Sequence, residues 1–535
     1  MSPSDRPPHT SSEHPRSTEG ERPSAGSGRA IGYRRFLGLS AVGALFPGAG
    51  LIAAGRRRLG WVLLGAFLIG AGAAAVYLYR AGNTGLVKLG TDTDRVNAIG
   101  YGLIVVAAGW LVIAAASLRA LEPKGLSGPR RLLAALMVTI VTSTVLIPLG
   151  IGSHYAFTQR DFIESVFPDE EQNQAQEQEH DGEVQHPGGS DAAPAGEEQT
   201  DDDPWADRGR VNVLLLGSDA GADRDGVRTD TIMVASIDTQ SGDTALFSLP
   251  RNLQYAPFPE GELRDAYPNG FHGAPASEYW LSSVYRHVPD QFPDYFSDYD
   301  DPGAAAVKLV VGETLGLEID YYAMVNLDGF QAIVDALGGV VIDVPYDIPM
   351  GTQATNWGTC TQPRDWIRAG EQQRLDGDQA LWFARARCGP APINDDYERM
   401  RRQRCMIGAI TAQVNPSTLL MRYLNLERAV RDNFTTDIPR QRLDDFAELG
   451  ERIQEAEIRS LPFTDELVDY TNPDYELIRD FVQESLEPSG EPSSDSTHEA
   501  VTHGEDDDGH GDGAPGSTGD EPDESDGAQS IDVVC

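Results

Sequence analysis

Apolar and polar positions divide this chain into long hydrophobic blocks near the N-terminus and, further on, short apolar runs that alternate with polar turns. Residues 1–31 are polar, rich in Pro and Ser and without an apolar block, which reads as a disordered cytosolic extension and not a cleavable signal peptide. Four uncharged apolar stretches follow, 36–55, 59–79, 99–118 and 132–152, inside a membrane region over 32–155. A spanning helix needs roughly 20 apolar residues, and the last three stretches meet that length. The first holds five glycines and Pro47, a combination that breaks a helix at mid-membrane unless buried neighbours satisfy the freed backbone groups.

Charge placement sorts these stretches, because Lys and Arg near segment ends stay cytoplasmic. Arg34 and Arg35 precede the first stretch and Arg56, Arg57 and Arg58 follow it, which suits a re-entrant hairpin with both ends inside. Three crossings then place loop 80–98 outside, the loop carrying Lys124, Arg130 and Arg131 inside, and everything after 153 outside. The competing readings are four full crossings, which would leave the C-terminal region in the cytosol, and a buried helical hairpin within a four-helix bundle.

Beyond the membrane region the period shortens. Strands are expected near 211–217, 231–237 and 244–249, a helix near 303–315, a strand near 321–326 and a helix near 328–337. Gly338-Gly339 then makes a turn, 340–344 a strand, 376–380 a helical turn, 381–386 a strand, and 396–414 an Arg-rich amphipathic helix. This order predicts an α/β (α+β) sandwich with a central mixed sheet flanked by helices, preceded by a helical transmembrane region.

Composition changes the picture in one respect. The net charge is −41, but residues 169–203 hold 13 acids and residues 487–535 hold 15, with no Lys or Arg in either, so the remainder carries only −13. Both stretches are too poor in apolar residues to offset ordering entropy. The expected domains are therefore an acidic linker over 156–207, an extracytoplasmic domain over 208–486 with a C-terminal helical extension, and an acidic disordered tail over 487–535. Cys360, Cys388 and Cys405 fall in the exported part, where any two could pair, while Cys535 sits alone at the tail end. The histidines form no i, i+4 pair, which disfavours a His-based metal site.

Candidate chemistry gathers where apolar runs give out. Asp219 closes Val211–Asp219, Asp230 closes Arg228-Thr-Asp230 just before the next run, and Arg251 ends Leu246–Arg251. If 381–386 is a strand, Arg385 and Arg387 point to the same side of it. On the helix over 396–414, Arg399 shares a face with Gln403, and at least two of Arg399, Arg401, Arg402 and Arg404 should face solvent. Two acids and several arginines at strand ends suggest a metal and a phosphate: magnesium is typically held by one or two carboxylates plus substrate phosphates, and guanidinium groups engage phosphate oxygens bidentately. The bland alternatives are a turn-forming Asp after a strand and surface ion pairs.

The runs Val213–Asp219, Arg228–Val234, Ser248–Arg251, Val325–Phe330, Asp335–Val340, Leu375–Leu381 and Arg399–Gln403 occur in the order and spacing of the LytR-CpsA-Psr family, and with its membrane hairpin the chain is similar to the actinobacterial type. The resemblance implies a membrane-anchored phosphotransferase that moves a glycopolymer from a polyprenyl-pyrophosphate carrier to a peptidoglycan hydroxyl. It makes Asp219 and Asp230 ligands of magnesium, with manganese as a substitute, and makes Arg251, Arg385, Arg387, Arg399 and Gln403 the pyrophosphate cradle. Arg228 would orient Asp230 or reach the phosphate. Asn252 stands where the family usually has Asp, and Asn394-Asp395-Asp396 stands where it has Asp-Ser-Asp, which leaves Asp396 as the candidate base. The implied partners are the lipid-linked glycan, peptidoglycan and the membrane, with no nucleic acid. Phe247, Leu309, Val311, Met324, Phe330, Ile333 and Leu337 are candidates to line a lipid groove, with packed core as the default. Hydrolysis of polyprenyl pyrophosphate and non-catalytic lipid-glycan sensing are the alternative functions.

Overall fold

The computed structural model describes residues 32–123, 126–169, 205, 208–219, 227–355, 358–414, 416–464, 467–487 and 529–530. The N-terminal extension and most of the two acidic segments lie outside these described residues. Two compact units emerge: one groups 1–75 with 102–152, the other 76–101 with 153–535.

In the first unit the apolar stretch 36–55 forms α1 (Tyr33–Leu45) and the single turn α2 (Ala49–Ala53), broken at Pro47 as its composition predicted. Its glycines serve close packing. A Cβ on Gly50 would lie 2.6 Å from the Ser117 Cβ, and Trp110 donates its indole N–H to the Ala44 carbonyl at 2.8 Å. Without a hydrophobic driving force between helices in lipid, such small-residue contacts let backbones approach. Three further helices, α3 (Arg57–Thr91), α4 (Thr93–Leu121) and α5 (Gly128–Val166), are long and apolar enough to cross a membrane.

Residues 80–98, expected as an exterior loop, are helical on both sides of Asp92, whose carboxylate accepts the Asp94 and Arg95 amide N–H groups at 2.9 and 3.0 Å and so starts α4. The far ends of α3, α4 and α5 belong to the second unit, where they form a stalk. Gln159 bonds the Gly90 carbonyl at 3.0 Å and Tyr101 meets Phe157 edge to face. Thr91 bonds Asp444, Arg440 pairs with Asp169, and the Arg440 amide donates to the Pro168 carbonyl at 3.0 Å.

The second unit is built on a seven-stranded mixed sheet. Its elements in chain order are β1 (Arg210–Ser218), β2 (Thr229–Asp238), β3 (Thr244–Ser248), α6 (Glu262–Ala266), α7 (Val284–Gln291), α8 (Pro302–Leu315), β4 (Tyr321–Asn326) and α9 (Leu327–Leu337). There follow β5 (Val340–Val344), β6 (Ile348–Met350), β7 (Asp365–Ile367), β8 (Gly370–Leu375), α10 (Gly377–Arg385), α11 (Asp396–Gln413) and α12 (Pro416–Arg431). The last are β9 (Phe434–Thr436), α13 (Leu443–Glu455), β10 (Ile458–Pro462), α14 (Tyr475–Leu486) and β11 (Gln529–Ser530), and the sheet order is β11-β10-β3-β2-β1-β4-β9.

Strand alternation assigns the two faces. Leu214, Leu216, Ile232, Val234 and Phe247 join the core with α7, α8 and α14, while Val211, Val213, Met233, Ala235 and Leu246 join Trp205 and Leu449 of α13. The predicted sandwich with a central mixed sheet is thus the observed fold. A third core lies under the paired strands β5–β8 and β6–β7 and includes Phe383 of α10 and Met406 of α11. Of the groove candidates, Phe247, Val311 and Met324 sit in the main core with Leu309 packed against it, and Phe330 packs on the third core.

Two expectations about these elements are corrected. Residues 381–386 are not a strand: α10 runs through 381–385 and ends before Ala386, started by a capping box in which Asp376 accepts the Gln379 amide and Gln379 answers with its side chain. The short apolar run Ala380–Ala384 fits either period, and the cap decides for helix. Gln529–Ser530, inside the span read as a disordered tail, pairs antiparallel with Ser460 and Arg459 of β10. Cys360 bonds Cys388, one of the three possible pairings, and Cys405 is disulfide-bonded as well.

Phe247→Ala should lower unfolding free energy by about 3–5 kcal/mol, the cost of a cavity in a packed core. Urea denaturation measures it. An unchanged midpoint would mean that Phe247 lines open space instead.

Candidate active site

Strand directions bring the candidate residues to one sheet edge. β1 runs parallel to β4 and antiparallel to β2, and β2 antiparallel to β3, so the ends of β1, β3 and β4 and the start of β2 coincide. Asp219 follows β1, Asp230 is the second residue of β2, and Arg251 lies three residues past β3. The β1–β2 register adds a bulge. Gly217 faces Thr231 but Ser218 faces Thr229, so Asp230 is the extra residue on its strand. Such an insertion frees a side chain from strict alternation and re-aims it. Beyond the bulge, Arg228 and Asp219 bond twice: the Arg228 amide donates to the Asp219 carboxylate at 2.9 Å, and the Asp219 amide to the Arg228 carbonyl at 2.9 Å.

Arg251 reaches across the edge, and its Nη1 donates to Asp230 Oδ1 at 2.7 Å. Partial burial would raise the Asp230 carboxyl, but the charge and hydrogen bond of Arg251, with the charges of Arg399 and Arg387, outweigh it and hold the group below the usual carboxylate range. Arg399, in the first turn of α11 and 4% exposed, donates to Asp396 at 2.9 Å. Its burial pushes its pKa down to about 10, with Asp396 and Asp230 opposing and Arg251 and Arg387 reinforcing the shift. Arg251, Arg387, Arg399 and Asp230 therefore share one field. The Nε groups of Arg251 and Arg399 are buried without a hydrogen-bond partner among the described residues. Buried donors of this kind are costly unless something accepts from them.

Other candidates sit differently from their expected places. The Arg228 guanidinium pairs with the part-exposed Glu278 at 2.7 Å. Arg385 ends α10 with its guanidinium 5.2 Å from the Trp382 ring centroid, and Arg387 is exposed two residues beyond, so strand alternation does not align them. Gln403 is half-buried, one turn along α11 from Arg399. Asp396 is engaged by Arg399.

The expectation that two helix arginines face solvent also fails, since Arg399, Arg402 and Arg404 are 4%, 1% and 4% exposed. α11 is covered on most sides, so its polar residues are interior. Arg402 donates to the carbonyl of Ala386, the residue between Arg385 and Arg387, and its guanidinium lies 6.0 Å from the Tyr346 ring centroid. It pins the backbone that carries both arginines. Sequence reasoning missed this role and that of Glu278. Arg402's place three residues from Arg399 was an available signal, whereas Glu278 offered none.

A family model described as the LytR_cpsA_psr family matches residues 167–483, more than half of the chain. The chain belongs to this family. Among curated relatives, the Enterococcus faecalis protein named polyisoprenyl-teichoic acid–peptidoglycan teichoic acid transferase TagU is 28% identical over 233 residues, covering 42% of this chain and 61% of its own. Biofilm regulatory protein A of Streptococcus mutans is 23% identical over 242 residues, 44% of this chain and 52% of that one. The chain thus spans between about half and three fifths of the length of these relatives. A LytR-Csp2A-Psr enzyme from Actinomyces oris, among the solved structures, aligns with a TM-score of 0.34 at 19% identity over 51% of this chain and 89% of that chain.

Arg251→Ala should move the acidic limb of the pH–activity profile upward. Asp230 loses the cation that holds its carboxyl down, while the burial that raises it remains. A limb that stays in place would show that Asp230 does not govern it. Arg402→Met should cut activity on the order of 100-fold through misplaced arginines. In a double-mutant cycle with Arg387→Ala its effect should be less than additive, and full additivity would separate Arg402 from the site.

Proposed function

We propose that this chain is a membrane-anchored, magnesium-dependent phosphotransferase that joins a glycopolymer to a peptidoglycan hydroxyl, taking it from a polyprenyl-pyrophosphate carrier. The observation that carries the reading is the cluster of three guanidinium groups, Arg251, Arg387 and Arg399, whose charges reach Asp230, two of them with buried Nε–H donors that have no acceptor among the described residues. A diphosphate is the anion whose charge and acceptor geometry match them.

Asp219 and Asp230 flank the paired residues Ser218 and Thr229, and their hard oxygen donors suit magnesium with substrate phosphates completing the shell. The bound ion would neutralise phosphate charge. Arg251, Arg387 and Arg399 would bind the diphosphate and stabilise charge as it shifts to the bridging oxygen, and the family pattern adds Arg385 and Gln403. An acceptor oxygen forms a bond to the sugar-proximal phosphorus, the bond to the bridging oxygen breaks, and polyprenyl phosphate leaves with that electron pair. The acceptor proton passes to a base, for which Asp396 stands one helical turn from Arg399. The name of the Enterococcus faecalis relative points to the same chemistry.

The reading includes a multi-pass anchor with the second unit on the outer face, supported by three helices of spanning length and by the Cys360–Cys388 bond, which suits an oxidising compartment. Asp219→Ala and Asp230→Ala should each reduce transfer of a radiolabelled lipid-linked glycan to peptidoglycan by on the order of 1,000-fold. Release of polyprenyl phosphate without any glycan joined to acceptor would instead identify a hydrolase. Binding without turnover would identify a sensor.

A further inference from the structure

The loop that leaves Arg251 carries an aromatic shelf that the phosphate chemistry does not use. Tyr255 is 40% exposed and has φ +56°, a left-handed conformation uncommon for residues other than glycine. Strain of this kind persists only where surroundings over-determine it, and it clusters at ligand sites. The surroundings here are specific. Gly270, itself at φ +80°, passes so close beneath that a Cβ would lie 2.0 Å from the Tyr255 carbonyl oxygen. Its near neighbour His272 stacks on the Tyr255 ring, with centroids 5.5 Å apart and planes at 28°.

The loop is also fixed along both sides. The amides of Ser282 and Leu281 donate to the carbonyls of Arg251 and Leu253 at 2.9 and 3.0 Å. The Gln254 amide donates to the Tyr470 carbonyl at 3.0 Å, and its carbonyl accepts the Tyr475 hydroxyl at 2.6 Å. Exposure of the Tyr255 ring is thus built into an ordered loop, and the entropy of immobilising it for a ligand is largely met in advance. Four residues of chain reach at most about 14 Å, so Tyr255 lies within that distance of Arg251, backbone to backbone.

We propose that Tyr255, with His272, forms a subsite on which a sugar ring adjoining the diphosphate stacks. A pyranose offers an apolar face of C–H groups to an aromatic plane and hydroxyls to solvent and polar neighbours, which matches half-exposed aromatics beside a charged centre. The inference rests on the phosphotransferase reading for its place in the reaction but not for the binding itself.

The test uses the full-length protein in nanodiscs. Binding of chitotetraose, a soluble N-acetylglucosamine oligomer, is followed by NMR saturation transfer and titration. Tyr255→Ala should weaken binding about fivefold to tenfold, the size of one lost aromatic contact, and Tyr255→Phe should restore it. In the transfer assay Tyr255→Ala should raise KM more than it lowers kcat. A rise confined to the donor places the lipid-linked sugar on the shelf, and one confined to the acceptor places the peptidoglycan sugar there. Absence of oligosaccharide binding by the wild-type chain, or equal affinity in wild type and Tyr255→Ala, overturns the subsite. Failure of the phosphotransferase reading alone would leave oligosaccharide binding and its Tyr255 dependence intact while no donor turns over.

Discussion

The contact between Arg251 and Asp230 ties the sheet to its chemistry. It joins the loop after β3 to the bulge of β2, across a strand pair whose hydrogen bonds end there. The neighbours share its charge: Asp230 is held ionised by three arginines, and the buried Arg399 pairs with Asp396. Hydrogen-bonding capacity is left over, since the buried Nε groups of Arg251 and Arg399 have no acceptor among the described residues. A site arranged this way is preorganised for an anion, because its dipoles and charges need not reorient when the anion arrives.

Much of this frame was legible in the sequence. The runs ending at Asp219, Asp230 and Arg251 read as strands because apolar residues dominate them and charged or turn residues close them, and neighbours in sequence became neighbours in the sheet. α8 and α9 were equally plain, each with a capping side chain before it, Asp301 and Asn326, and a glycine in the left-handed conformation after it. The short run before Arg385 was not. Five apolar residues fit both periods, and only the reciprocal Asp376–Gln379 cap settles the matter.

The charged residues of α11 show a different limit. Helical period says which residues share a face, but not how many faces the rest of the fold will cover. Arg402 and Arg404 are interior because the third core and the loop after α10 close around α11, a fact of tertiary packing with no local signature. The same holds for the Arg228–Glu278 pair, whose members are 50 residues apart. Long-range partners of this kind follow from topology and not from spacing.

Within the second unit the stalk meets Asp444 and Arg440, beside Phe446, whose ring lies edge to face with Tyr321 at the start of β4 and with Trp205 near the start of β1. Asp219 stands at the other end of β1. Nine residues of strand span about 30 Å, so the sheet is a strut that fixes the separation between footing and reactive groups. Surface loops may vary in length without changing that separation. Adding one residue within β1 could not lengthen the strut cleanly, because every side chain beyond the insertion would turn to the opposite face.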